Sequence, residues 1–275
     1  MYEEFYKGKR VLVTGHTGFK GSWLTRWLIQ LGANVYGVAL EASTKPAHSK
    51  LLDSEFENSI LDIRNFEELE RTVKVFQPEI VFHLAAQPLV RYSYSNPIET
   101  YETNVMGSLH LYQACRSIEC LKSIVCVTTD KCYENREWIW GYRESDRLGG
   151  YDPYSSSKAC MEIMTKSFKN SFFNISQYKQ SHQVLIATAR AGNVIGGGDW
   201  SDDRLIPDIV KATAENKVTS IRNPFATRPW QHVLEPLAGY LSLGMKLYQE
   251  EVDKADAWNF GPEAVSYTHL TLPTT

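Results

Sequence analysis

Three features of the 275-residue sequence predict an α/β fold built on a doubly wound, Rossmann-type parallel sheet. Short apolar runs alternate with amphipathic segments, the first run ends in a glycine-rich turn, and the runs are apolar throughout, as strands covered on both faces must be. Residues 10–14 form the first such run. Trp23, Leu24, Trp27, Leu28 and Leu31 then recur at three- and four-residue spacings up to Gly32, the pattern of a helix with one buried face. Residues 35–40 read as the second strand and 43–50 as a loop. Residues 58–61 read as a short strand leading to Asp62, and 66–76 as a helix stopped by Pro78. Further buried strands are expected at 80–84 and 123–127. In the second half the sequence predicts a long helix over 153–172, a strand over 183–189 and a loop at Gly196-Gly197-Gly198. Beyond it, Pro207, Pro224, Pro229, Pro236 and Pro262 read as breakers in a shorter, irregular pattern.

Composition narrows the function class. With 29 Lys+Arg against 32 Asp+Glu the formal net charge is −3, so no basic face argues for nucleic-acid binding. No segment approaches the apolar length of a membrane span, and Met1-Tyr2-Glu3-Glu4-Phe5 has no charged-then-apolar leader pattern; a cytoplasmic chain is expected. Five cysteines without a Cys-x-x-Cys pair suggest neither a zinc site nor a disulfide framework, and no metal is expected. The ending, residues 265–275, has neither helix nor core-strand periodicity and resembles translated adapter sequence. The expectation is a natural chain continuing past about Glu263, with residues 264–275 foreign to it.

Gly15, Gly18 and Gly21 punctuate Thr14-Gly15-His16-Thr17-Gly18-Phe19-Lys20-Gly21 between the first strand and the first helix. Glycines there let the backbone turn tightly and approach a pyrophosphate, whose charge rests on the helix N-terminus. Gly15, Thr17, Gly18, Phe19, Lys20 and Gly21 are therefore expected to hold a dinucleotide. The end of the second strand carries Ala39, with Glu41 two residues on, and no arginine for a 2′-phosphate; this favours NAD. Asp62 and Ile63 suit the adenine edge, and Asp62 suits a helix cap equally well.

Tyr154 and Lys158 lie four residues apart on the expected long helix, one turn and one face. A tyrosine ionises near 10, so a tyrosine base at neutral pH needs a cation beside it. Thr129, at the end of the fifth strand, can hydrogen-bond a substrate oxygen beside Tyr154. Asp130 and Lys131 follow it, either as an extra acid and base or as a capped, solvated turn.

Together these residues resemble the extended short-chain dehydrogenase/reductase family acting on nucleotide sugars. The resemblance covers nearly all of residues 8–263. It includes the glycine turn, His83-Leu84-Ala85-Ala86-Gln87, Asn104, Thr129-Asp130, Tyr154/Lys158 and Arg190-Ala191-Gly192-Asn193. Residues 129–135, 196–200 and 228–237 are most similar to the CDP-glucose 4,6-dehydratase branch. The resemblance implies Leu84, Ala85, Ala86, Gln87, Asn104 and Thr128 as further cofactor contacts, and Gln87, Thr129, Asn193, Arg204 and Arg228 as substrate contacts. Arg204 reads alternatively as an ion pair with Asp202 or Asp203. It also implies an internal redox cycle on CDP-glucose. Tyr154 takes the 4-hydroxyl proton as hydride passes to NAD, Asp130 acts as acid for the departing 6-hydroxyl, Lys131 acts as the C5 base, and hydride returns to C6. A 4-epimerase needs only the Thr/Tyr/Lys set, and that activity, a reductase of the same fold, or an inactive truncated NAD-binding fragment are the alternative readings. The implied organisation is an NAD-binding unit over 1–190 and a partial nucleotide-sugar unit over 191–263 that exchange sheet and helix elements. By family analogy the helices near 104–115 and 153–168 meet a second subunit, in a dimer or tetramer.

Overall fold

The computed structural model describes residues 2–52, 56–219, 221 and 228–262. The expected foreign tail and Pro224 lie outside the described residues. Strands β1 (Arg10–Thr14), β2 (Asn34–Ala39), β3 (Glu57–Ile60), β4 (Ile80–His83), β5 (Ser123–Val127), β6 (Leu185–Ala191) and β9 (Ala257–Phe260) form one sheet in the order β3-β2-β1-β4-β5-β6-β9. Every pairing in it is parallel. A separate two-stranded ladder joins β7 (Val194–Ile195) to β8 (Gln231–His232), and short helices α1 (Tyr2–Tyr6), α5 (Val90–Ser95) and α6 (Pro97–Tyr101) lie among the longer ones. From β1 the chain runs out to β3 and then restarts beside β1 at β4. Such a reversal leaves a crevice at the carboxyl ends of the two central strands, where α/β folds bind ligands.

The strand side chains alternate between two cores. Val11, Val13, Ile80, Phe82, Val125 and Val127 face one, closed by α2 (Phe19–Gln30) and α10 (Leu234–Tyr248) through Leu24, Leu28, Leu237, Tyr240 and Leu241. Leu12, Val81, Ile124 and Cys126 face the other, closed by α4 (Phe66–Phe76), α7 (Gly107–Cys115) and α8 (Pro153–Phe172) through Leu69, Val73, Leu111, Tyr112, Met161 and Phe168. This two-sided burial is what the unbroken apolar runs require. The α4 helix has its expected bounds, capped by the Asn65 side chain at the start and by Gln77 at φ 54° at the end. Asp152 and Ser155 make a capping box at the start of α8, with Pro153 in its first turn.

Four expectations need correction. Within 43–50, expected as loop, His48–Leu51 forms a short helix α3, because His48 is buried, stacked on Trp23 at 4.7 Å. The sixth strand starts and ends two residues later than expected: its ladder begins with Ser123 opposite Leu185. Pro207 and Pro236 break nothing. Each is the third residue of a helix, α9 (Leu205–Ala214) and α10, where the missing amide hydrogen has no intrahelical partner to lose. The stretch read as irregular therefore contains a 15-residue helix whose Gly244 meets Phe82 and Tyr6 so closely that an added Cβ would stand 2.8 Å from the Phe82 ring.

Candidate active site at the strand ends

Gly15 occupies a left-handed conformation, φ 77°, and a Cβ there would lie 2.7 Å from the Ala85 nitrogen. The first turn therefore nests against the end of β4 in a way no other residue permits. A Cβ on Gly21 would fall 2.0 Å from the Gly15 carbonyl, so this glycine lets α2 close on the turn. Gly18 caps α2 without a side chain, leaving its first-turn amides uncovered. Thr17 donates to the Leu40 carbonyl at 2.8 Å. His16 points inward: its ring lies against Gly37, and its Nδ1 is buried without a partner. At the end of β2, Ala39 is buried and the exposed Glu41 pairs with Lys50 at 3.5 Å. No arginine stands there.

Asp62 is not a helix cap; Asn65 is. The Asp62 carboxylate accepts from Arg64 Nε and Nη2 at 2.8 and 2.6 Å. Burial pushes its carboxyl up, but Arg64 outweighs this and holds it below the usual range. The Ile63 side chain is in the core, against Gly107. Leu84, Ala85 and Ala86 line the end of β4, half-buried. Asn104 lies in a π-helical turn, Glu102–Met106, and is fully buried. Its Oδ1 accepts from the Gln87 amide, and its Nδ2 donates to the Gln87 carbonyl and to Ser157 Oγ. The Gln87 side chain is occupied by Thr100 and the Leu89 amide. Both residues thus act by shaping the β4 end. The Thr128 hydroxyl bonds to buried Glu162, which also holds Thr188 and, at 2.8 Å, Arg190.

Tyr154 and Lys158 both come to the end of β5, both nearly inaccessible. Burial pushes the Tyr154 phenol up to about 12, against the pull of the Thr129 hydroxyl and the Arg204 charge. Burial lowers Lys158 to about 8, opposed by Cys126 and Glu162. Lys158 Nζ donates to the Val127 carbonyl at 3.3 Å. Thr129 caps the 3₁₀ turn Asp130–Cys132 and donates to Asp130 Oδ1 at 3.1 Å. Asp130 and Lys131 form a half-exposed pair, Nζ to Oδ1 3.9 Å. The Asp130 Oδ2 lies under Gly192, where a Cβ would be 3.2 Å away.

The sequence marks Lys20 only as part of the turn, yet its Nζ reaches the hydroxyl of Tyr240 at 3.5 Å. Burial, together with Arg204 and Lys158, lowers its amine to about 7. Its period in α2 carries the signal: Lys20, Trp23 and Trp27 share a face. The Arg204 guanidinium pairs with neither Asp202 nor Asp203 but stands 3.8 Å from Asp199, whose side chain is 6% exposed. Asp202 pairs with Lys211 and Asp203 with Arg91. Asn193 Oδ1 and Trp200 Nε1 are buried without partners. Arg228 begins the segment that packs on Gly192, where an added Cβ would meet Pro229 at 2.5 Å.

The glycine cradle, the uncapped α2 amides and the Tyr154/Lys158 pair fit a dinucleotide. The orphaned polar atoms of Asn193 and Trp200 fit a polar ligand beside it. Among the described residues no cluster suits a metal ion, and all five cysteines are free. No described helix is long and apolar enough to cross a membrane.

Residues 12–253 match the family described as GDP-mannose 4,6 dehydratase. The chain is 56% identical over 262 residues to a CDP-glucose 4,6-dehydratase of Salmonella typhimurium, covering 94% of this chain and 73% of that protein. A dTDP-D-glucose 4,6-dehydratase of Dictyostelium discoideum is 26% identical, matching 78% of this chain and 50% of its own length. Among solved structures, the epimerase Mth375 of Methanothermobacter thermautotrophicus superposes with TM-score 0.81 at 26% identity, covering 94% of this chain and 73% of that one. A dTDP-glucose 4,6-dehydratase from Streptomyces venezuelae with NAD bound shares the fold, TM-score 0.77 at 22% identity over 92% of this chain and 75% of that one. With its parallel sheet, glycine turn and Tyr/Lys pair in place, the chain belongs to the GDP-mannose 4,6 dehydratase family of nucleotide-sugar enzymes.

Proposed function

We propose that the chain is an NAD-dependent lyase that converts CDP-glucose to CDP-4-dehydro-6-deoxyglucose, a cytoplasmic step in deoxysugar supply for an O-antigen-type polysaccharide. The observation that carries the reaction type is the Asp130–Lys131 pair set beside Thr129 and Tyr154, an acid and a base that 4-epimerisation does not need. The Salmonella relative supports the choice of nucleotide.

NAD, when bound, supplies the hydride acceptor and donor of the cycle. Thr129 orients the sugar 4-hydroxyl, and Tyr154, as phenolate, takes its proton. Burial works against that phenolate, so the cations Arg204 and Lys158 must favour it. The resulting ketone acidifies C5–H, and Lys131 is the base that removes that proton. Asp130 protonates the leaving 6-hydroxyl. Asn193, Arg204 and Arg228 hold the sugar diphosphate, arginine by bidentate contact. We assign residues 1–190 to the NAD unit and 191–263 to the sugar-nucleotide unit, and place the active enzyme in a homo-oligomer built on α7 and α8.

The test is to incubate the chain with NAD and CDP-, dTDP- or UDP-glucose and follow the 4-keto-6-deoxy product by its absorbance in alkali. The reading requires product from CDP-glucose in preference to the others. A 4-epimer without keto product, or stoichiometric consumption of cofactor, would replace it with an epimerase or reductase. Asp130→Asn should slow water loss about 10–100-fold more than the first hydride transfer, seen as accumulated reduced cofactor; equal slowing would remove Asp130 as the acid.

A further inference from the structure

We infer that His83 is a positioning residue for this reaction, the central link of a buried hydrogen-bond chain that runs from the dinucleotide turn to the backbone of Asn104 and continues from the Asn104 side chain to the backbone of Tyr154. The inference rests on the dehydratase reading of the cleft. Its direction follows atom by atom. Thr14, immediately before Gly15, has one hydroxyl hydrogen and two lone pairs. Its oxygen accepts from the Ala85 amide at 3.2 Å and shares the Leu84 amide, which also donates to the Thr14 carbonyl at 3.1 Å. Its hydrogen goes to His83 Nδ1, at 2.6 Å, the direction that Ser108 also requires, because the Ser108 hydrogen is given to the Asn104 carbonyl and its oxygen must accept from the ring. That nitrogen is the bare one, so Nε2 carries the ring hydrogen and donates to Ser108 Oγ at 2.8 Å. Ser108 donates to the Asn104 carbonyl at 2.7 Å, which can only accept. Asn104 Nδ2 donates to Ser157 Oγ at 2.8 Å, and Ser157 donates to the Tyr154 carbonyl at 2.7 Å.

Thr14, His83, Asn104, Ser108 and Ser157 are all 0% exposed. Water cannot replace a lost link, and a broken one strands two buried polar groups. Burial, with Lys158 nearby, lowers His83 to about 3, so the ring stays in its single neutral tautomer. The π-helical turn around Asn104 is where the chain crosses from the β4 end to α8; such turns recur at functional sites. Each end of the chain lies on a reacting partner's support: Thr14 beside the glycine turn, Ser157 one turn behind the Tyr154 phenol. The consequence is a fixed register between cofactor turn and base.

The test compares wild type with His83→Phe, which keeps a planar ring but neither nitrogen, and His83→Gln, whose amide oxygen and nitrogen repeat the acceptor–donor pair. NAD affinity is read by equilibrium titration, Tyr154 ionisation by ultraviolet difference spectra, and turnover with CDP-glucose as kcat and KM. The Phe variant should lose at least tenfold in kcat and raise the pH at which the phenolate forms, with NAD affinity and KM within about threefold of wild type. The Gln variant should recover most of both. Equal loss in Phe and Gln, or wild-type kcat in a folded Phe variant, overturns the role. Should the Phe variant fail to fold, Ser108→Ala breaks the same chain at nearly constant volume, and an unaltered kcat and phenolate titration there overturn it too. Failure of wild type to turn over CDP-glucose would refute the proposed function alone, because the phenolate titration reads His83 without turnover.

Discussion

On the β1–β4 side of the cleft, Thr14, His83, Gln87 and Asn104 have every polar side-chain atom bonded within the protein, the buried Nδ1 of His16 being the exception there. On the β6–β7 side, Asn193 Oδ1 and Trp200 Nε1 are buried with no partner, and Arg204 stands 3.8 Å from Asp199, outside hydrogen-bond range. The first region is a finished support whose shape is set before anything binds. The second carries unmet donors and acceptors, each costing stability that a ligand's polar groups can return. The difference teaches where binding energy is to be sought: on the proposed function, the cofactor would be placed by geometry and the sugar nucleotide recognised by groups left waiting.

The largest test of this contrast falls where the regions meet. Tyr154→Phe should lower turnover about 10²–10⁴-fold while leaving NAD affinity unchanged, since only the phenol oxygen is lost. Retained turnover would remove Tyr154 as the base. On the finished side, Gly15→Val forces a β-branched residue into φ 77° with its Cβ 2.7 Å from Ala85. It should abolish measurable NAD binding and destabilise the fold by about 2–4 kcal/mol, by denaturant titration. On the unfinished side, Asn193→Ala should do the reverse: KM for the nucleotide sugar rises about tenfold, while the melting temperature stays level or rises, because a buried orphan acceptor is gone. A clear loss of stability there would mean that the Asn193 amide already serves the fold.

The smallest effect is electrostatic. Removing the Arg204 cation with Arg204→Gln disfavours the Tyr154 phenolate, whose proton burial already holds up to about 12. The limb of the kcat profile that rises with pH should therefore move to higher pH, by about half a unit. A shift to lower pH would contradict the placement of that charge.

The finished side was also the more legible in sequence. The apolar runs, the glycine spacing and the Tyr/Lys turn each state a backbone requirement, and local geometry meets it within a few residues. What escaped was everything set by distant neighbours. Pro236 reads as a breaker until α10 is seen to start two residues earlier, even though Leu237, Leu241 and Met245 repeat every four residues. His48 reads as loop because its burial depends on Trp23 and Gly198, far away in sequence. The inward turn of Lys20 depends on Tyr240, 220 residues later. Ser108 and Ser157 offered a fainter signal, one helical turn from Asn104 and Tyr154, which only the fold turns into a hydrogen-bond chain.

The most direct test of the whole account is the fate of hydrogen from the substrate's own C4. CDP-glucose carrying deuterium at C4 should give a 4-keto-6-deoxy product with that deuterium at C6, as required if Asp130 and Lys131 open the elimination between two hydride transfers over one cofactor. Deuterium found back on C4 of an epimer, or lost to free reduced cofactor, would contradict the account.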